Sequence, residues 1–110
     1  MIEINQGNTF DRKLQFVYKQ NGKAWERTDE IILFALISES GEIVLHKEAD
    51  EEMNISLTHE ETSGLSPGNY LCEVSIYKPD LTYVATPIKE SVQVNEVKSN
   101  ELLSSLVRIT

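Results

Sequence analysis

Ile55-Ser56-Leu57-Thr58-His59-Glu60-Glu61-Thr62-Ser63-Gly64-Leu65-Ser66-Pro67-Gly68-Asn69-Tyr70-Leu71-Cys72-Glu73-Val74-Ser75-Ile76-Tyr77 is the stretch whose reading decides the fold. It is the end of one strand, a single helical turn over 59–63, a Pro-Gly corner and a central strand. Thr58 and Glu61 have the Thr-x-x-Glu spacing of a capping box: the Thr58 hydroxyl accepts from the Glu61 N–H, and the Glu61 carboxylate accepts from the Thr58 N–H. Gly64 stands about one turn later, where a left-handed cap would need a residue without Cβ. In Ser66-Pro67-Gly68-Asn69, Pro67 presets φ and Gly68 tolerates a positive one. The strand that leaves this corner puts Tyr70, Cys72, Val74 and Ile76 on one face and Leu71, Glu73, Ser75 and Tyr77 on the other.

Outward from this stretch the chain is strand after strand. Ile2-Glu3-Ile4-Asn5 alternates and is ended by Gln6-Gly7-Asn8. Thr9 to Lys19 places Phe10, Leu14, Phe16 and Tyr18 on one face, and Asn21-Gly22 turns it into a hairpin with Lys23 to Glu26. Trp25, near that hairpin edge, is either a lid on the core or a contact residue. Ile31 to Ile37 is an unbroken apolar run; its length, β-branched start and following turn favour a central strand covered on both faces over a buried helix. Further strands are expected over Glu42–Ala49, Met53–Leu57 and Tyr83–Val94, the last with a bulge or an edge at Pro87, which cannot donate to a ladder. About seven strands at this spacing predict an all-β, antiparallel sandwich over residues 1–97. Phe16, Leu33, Ala35, Cys72, Val74 and Ile76 are its expected core.

Residues 98–110 change character. Ser99 or Asn100 can cap a short amphipathic helix whose stripe is Leu102, Leu103, Leu106 and Val107. A segment this short is not a stable helix alone in water. The stripe needs cover, on its own sandwich or on a neighbouring subunit, and the neighbour is the favoured host because the strands already supply a core.

The composition is that of one globular domain: 110 residues, 40% hydrophobic and 25% charged. Eighteen acidic residues against ten basic give a net charge of −8. That argues against nucleic acid and anionic membrane as partners, since both need neutralising cations. A single cysteine excludes an internal disulfide and fits a reducing compartment. The amino terminus lacks the basic start and apolar run of a secretory signal, and no window approaches the ~20 apolar residues of a membrane span. A soluble protein made in the cytoplasm is expected.

Catalytic and metal chemistry find little support. His46, His59 and Cys72 lack zinc-ligand spacing, and Asp50-Glu51-Glu52 lacks the alternating ligands and Gly of a calcium loop. Cys72 is expected to face inward, where cysteine acts as a small inert hydrophobe. Glu60 and Glu61 open a helical turn and complement its dipole. With no Gly-rich phosphate loop, no metal, no cofactor, no small-molecule substrate and no turnover are expected.

Tyr70-x-Cys72 after a helical turn and a Pro-Gly corner resembles the tyrosine corner of immunoglobulin-like domains. The chain has no cysteine on its second strand, and Trp25 precedes the long apolar strand, unlike antibody-type domains. A closer resemblance is to small phage-encoded Ig-like domains, including the amino-terminal domain of baseplate upper proteins. Their Ile-x-x-Gly-(Asp/Asn)-Thr element is similar to Ile4-Asn5-Gln6-Gly7-Asn8-Thr9. Their x-Thr-Asp lead into an apolar strand is similar to Arg27-Thr28-Asp29. Their Glu-Glu-Thr-x-x-Leu-x-x-Gly-x-Tyr is similar to Glu60 through Tyr70. The resemblance covers residues 2 to 97 and implies an Ig-like sandwich serving as a virion structural component of tail or baseplate. On that reading Thr58, Glu61, Pro67, Gly68 and Tyr70 build a structural corner. Trp25, Leu102, Leu103, Leu106 and Val107 are the candidate interface, and the partners are other virion proteins or further copies of the chain in an oligomer. The chain would be made in the bacterial cytoplasm and assembled into a phage or phage-like particle. The alternative is a bacterial Ig-like module that binds a carbohydrate or protein.

Overall fold

The computed structural model describes residues 1–14, 19–20, 23–24, 28–100 and 102. In chain order its elements are β1 (Ile2–Asn5), β2 (Phe10–Lys13), β3 (Lys19–Gln20), β4 (Lys23–Ala24), β5 (Ile31–Ser38), β6 (Ile43–Glu48), β7 (Asn54–Leu57), α1 (His59–Ser63), β8 (Gly68–Tyr77) and β9 (Val84–Asn95). Five strands form one sheet in the order β1-β9-β8-β5-β6; β2 and β7 form a second sheet, and β3 and β4 a short antiparallel pair. The fold is an all-β sandwich. The order β9-β8-β5-β6 matches the G-F-C-C′ strands of an immunoglobulin-type sheet, with β2 and β7 in the B and E places. Among the described residues every ladder is antiparallel except β1 on β9, which is parallel, with Ile2 opposite Val92 and Ile4 opposite Val94.

The period of two decides what is buried. On β8, Cys72, Val74 and Ile76 are at most 1% exposed. They pair with Leu36, Phe34 and Ile32 of β5, which therefore share the inner face. Val92 and Val94 of β9 and Ile2 and Ile4 of β1 extend that face, and Ile55 and Leu57 of β7 close it from the second sheet. The β5 parity differs from the sequence expectation for Leu33. It lies half-buried on the outer face, and the core positions are Ile32, Phe34 and Leu36. The physical reason is that a run of seven apolar residues carries no alternation; only pairing with β8 fixes which residues turn inward. Ala35 is buried, although it stands on the outer face between its cross-strand neighbours His46 and Glu73. Phe16 lies outside the described residues.

Two bulges bend the large sheet. On β9, Ile88 opposes Val74 while Ala85 opposes Ile76, so an extra residue sits at Thr86-Pro87. A bulge removes a donor position from the ladder, which is what Pro87 requires. On β6 the register slips between Leu45 and Ile43. Met53 and Leu81 are the non-glycine residues with positive φ, both in turns.

Ile76 has no exposed surface and sits mid-strand in the core. Ile76→Ala should destabilise the domain by about 2–5 kcal/mol through lost transfer energy and the cavity left behind. Urea melts of the two proteins check this; a difference under about 0.5 kcal/mol would contradict the core assignment.

Candidate functional site

One end of the sandwich is a clasp of polar contacts around α1. Thr58 caps the helix as a capping box: the Glu61 N–H donates to Thr58 Oγ1 at 3.2 Å, and the Thr58 N–H donates to Glu61 Oε1 at 3.0 Å. Lys47 Nζ adds a second contact to Glu61 Oε1, at 3.0 Å. The Thr58 N–H and then Lys47 hold the Glu61 carboxyl below the ordinary carboxylate range. Gly64 closes the helix in right-handed conformation, φ −78°, correcting the left-handed cap expected from its position. Its N–H bonds the Glu60 carbonyl at 3.3 Å, so an ordinary helical turn satisfies the cap without a positive φ. Pro67 is exposed, and Gly68 takes φ 148°, the conformation glycine permits. The Tyr70 hydroxyl donates to the Ser66 carbonyl at 2.5 Å, the bond that defines a tyrosine corner.

The helix is also tied to the loop between β1 and β2. His59 Nδ1 donates to the Gly7 carbonyl at 2.6 Å, and Thr62 Oγ1 donates to the Asn8 carbonyl at 2.8 Å. Gln6 Nε2 donates to the Leu65 carbonyl at 3.0 Å. Gly7 has φ 81°, a conformation that strains a residue with a Cβ, and a Cβ there would also fall 1.9 Å from the side-chain oxygen of Asn100, which would have to move. The Gly7-Asn8 element and the helical turn are thus one constellation in space. Sequence reading singled out both motifs without joining them; the signal available was that each carried more hydrogen-bonding groups than its own turn could use.

The outer face of the five-stranded sheet carries a different pattern. Cross-strand pairing sets Ile43, Ile37 and Leu71 in one apolar row near one end. Ile31, Tyr77 and Val84 form another at the opposite end. Ile43 is 64% exposed and Val84 59%. Between the rows, Leu33 and Ala35 of β5 are flanked by polar pairs: Glu73 faces Lys89 at 4.0 Å, and Ser75 hydrogen-bonds Thr86 at 3.0 Å. Apolar side chains at solvent-facing parity are the sequence signal for this surface, and Leu71 among Glu73 and Ser75 is its clearest instance. Leu102 is exposed, whereas Trp25, Leu103, Leu106 and Val107 of the candidate interface lie outside the described residues.

The reactive residue types are dispersed. Cys72 is buried on β8, where desolvation first and then the Glu90 charge raise its thiol pKa and disfavour the thiolate. His46 is exposed on β6, and His59 belongs to the clasp. Among the described residues no three His, Cys, Asp or Glu side chains gather as a metal site would require. Glu30 is a buried carboxylate that sequence reading passed over as a break before β5. Burial works to raise its pKa, yet the Thr28 N–H at 2.7 Å, its own N–H and the Thr28 hydroxyl together lower it. Thr28-Asp29-Glu30 is therefore a self-satisfied turn at the entry to β5.

Two measurements test this end of the molecule. Tyr70→Phe should lose about 0.5–1.5 kcal/mol, the net worth of one hydrogen bond with the ring retained; an unchanged melting curve would reject the corner. A depressed folded-state pKa gives Glu61 a stabilising contribution present above the unfolded value and lost as pH falls through the folded one. Glu61→Gln keeps a capping partner but cannot titrate. Its stability should therefore fall less steeply than that of the wild type between roughly pH 5 and 3, as read from urea midpoints across that range.

The chain matches no protein-family model and no curated protein. Among solved structures it is similar to CopC from Methylosinus trichosporium OB3b, at 16% identity and a TM-score of 0.40, over 61% of this chain and 64% of that one.

Proposed function

We propose that this chain is a non-catalytic assembly domain of a phage or prophage particle, working in a tail or baseplate through protein–protein contacts. The observation that carries the reading is the pair of apolar rows on the outer sheet face, Ile43–Ile37–Leu71 and Ile31–Tyr77–Val84. Apolar residues aligned on a face otherwise built for water mark a contact surface. The resemblance of Ile4–Thr9 and Glu60–Tyr70 to phage Ig-like domains gives that surface a context. Both segments meet in the clasp, whose polar groups bond to one another, so the motifs hold the fold and leave the sheet face to do the binding.

On this reading the partners are further copies of the chain or other virion proteins, and the product of the bacterial cytoplasm is built into a particle. The acidity of the chain, −8 overall, disfavours nucleic acid. A carbohydrate-binding module would instead present clustered aromatic rings. Tyr70 and Tyr83 pack against the core, leaving Tyr77 as the aromatic of the outer face among the described residues.

Light scattering on a sizing column tests the proposal. The full chain at micromolar concentration is expected to run as an oligomer, and Ile43→Lys with Leu71→Lys, both at exposed positions, is expected to give monomers that melt like the wild type. A monomeric wild type, or an oligomer indifferent both to the lysines and to deletion of residues 98–110, would sink it.

A further inference from the structure

Between the two sheets, at the edge where β2 faces β9 and β1, lies a cavity of about 340 Å³. Phe10, Leu14, Phe34, Ile55, Val74 and Ile88 supply its apolar walls, with the Cys72 thiol among them. Two charged residues occupy positions of core parity there. Arg12 pairs with the buried Ile55 and so points inward from β2, between Phe10 and Leu14. Glu90 pairs with the buried Cys72 and points inward from β9. Arg12 Nη2 and Glu90 Oε2 stand 3.7 Å apart at the mouth, beyond hydrogen-bonding length, and Lys13 lines the same opening.

We propose that this cavity binds a small amphiphile with an apolar body and a carboxylate head, of the size of a medium-chain fatty acid. The cavity is open at its mouth, has both apolar and charged lining residues, and falls in the size range of ligand pockets, about 300–1,000 Å³. The mouth sets the head group: Arg12 and the Met1 ammonium both lie within 4 Å of the Glu90 carboxylate, and Lys13 lines the opening, so cations outnumber carboxylates there on a chain that is strongly acidic overall. The planar guanidinium offers a carboxylate two parallel donors, a geometry its long contact with Glu90 does not use. The site is independent of the outer face and does not rest on the assembly reading.

Isothermal titration of the full chain with octanoate, octan-1-ol and octylammonium tests it. Octanoate is expected to bind saturably, one per chain, and octylammonium about ten-fold more weakly or not at all. Arg12→Gln, at a partly exposed side chain, should weaken octanoate about ten-fold while leaving octan-1-ol unchanged. Ile88→Trp should fill the cavity and abolish both; Cys72→Leu, from the opposite wall, repeats that test if the tryptophan variant melts early. Absence of saturable binding by octanoate overturns the site. Affinity untouched by both cavity-filling variants overturns its location, and octylammonium binding as tightly as octanoate overturns the carboxylate.

Discussion

Thr62 has no exposed surface, and its hydroxyl ends on the Asn8 carbonyl of the β1–β2 loop. The rest of the sandwich depends on that bond and its neighbours. The chain crosses between layers twice at this end: from the large sheet to the small one between β1 and β2, and back again between β7 and β8. His59 to Gly7, Thr62 to Asn8 and Gln6 to Leu65 lash the two crossovers together. A sandwich core is non-directional, and apolar faces can slide over one another at little loss of burial. The clasp removes that freedom, because sliding would strand buried donors and acceptors at about 1–3 kcal/mol each.

Much of this was legible in the residues. Capping box, Pro-Gly corner, tyrosine and strand alternation each have a local physical signature, and the segments 2–5, 43–48 and 54–57 fall inside the strands read from them. What escaped reading was non-local. The inward set of β5 depends on its partner, because Ile31 to Ile37 are apolar at every position. The parallel pairing of β1 joins residues about as far apart as the chain allows. Arg12 shares the parity of Phe10 and Leu14, and Glu90 that of Val92 and Val94, but that the two meet is set by the packing of one sheet on the other. Gly64 misled for a related reason: glycine permits a left-handed cap but does not require one.

Two of the chain's ten basic side chains, Lys47 and Arg12, bridge the two layers. Lys47, paired with Phe34 and so inward-facing on edge strand β6, reaches Glu61 of α1. Arg12 plays a comparable part at the opposite side with Glu90. Each pair is partly exposed and worth little as an ion pair. An inward charge on an edge strand has another effect, since it makes adding a foreign strand unfavourable. On the proposed assembly reading, contacts would thereby be directed away from these edges, toward the sheet face that carries the apolar rows.

The β1–β9 ladder has a consequence in time. Ile2 waits for Val92 and Ile4 for Val94, so β1 has no ladder partner until β9 has been synthesised. Gly7, meanwhile, is shaped to receive Asn100. Loop closure over such a span is slow compared with a local hairpin, and it can begin only when most of the chain has left the ribosome. Until then the apolar side chains of β1 and the unmatched edge of β8 are open to other chains. Synthesis of this domain is therefore a period of exposure, and the rate of completing β9 sets how long it lasts.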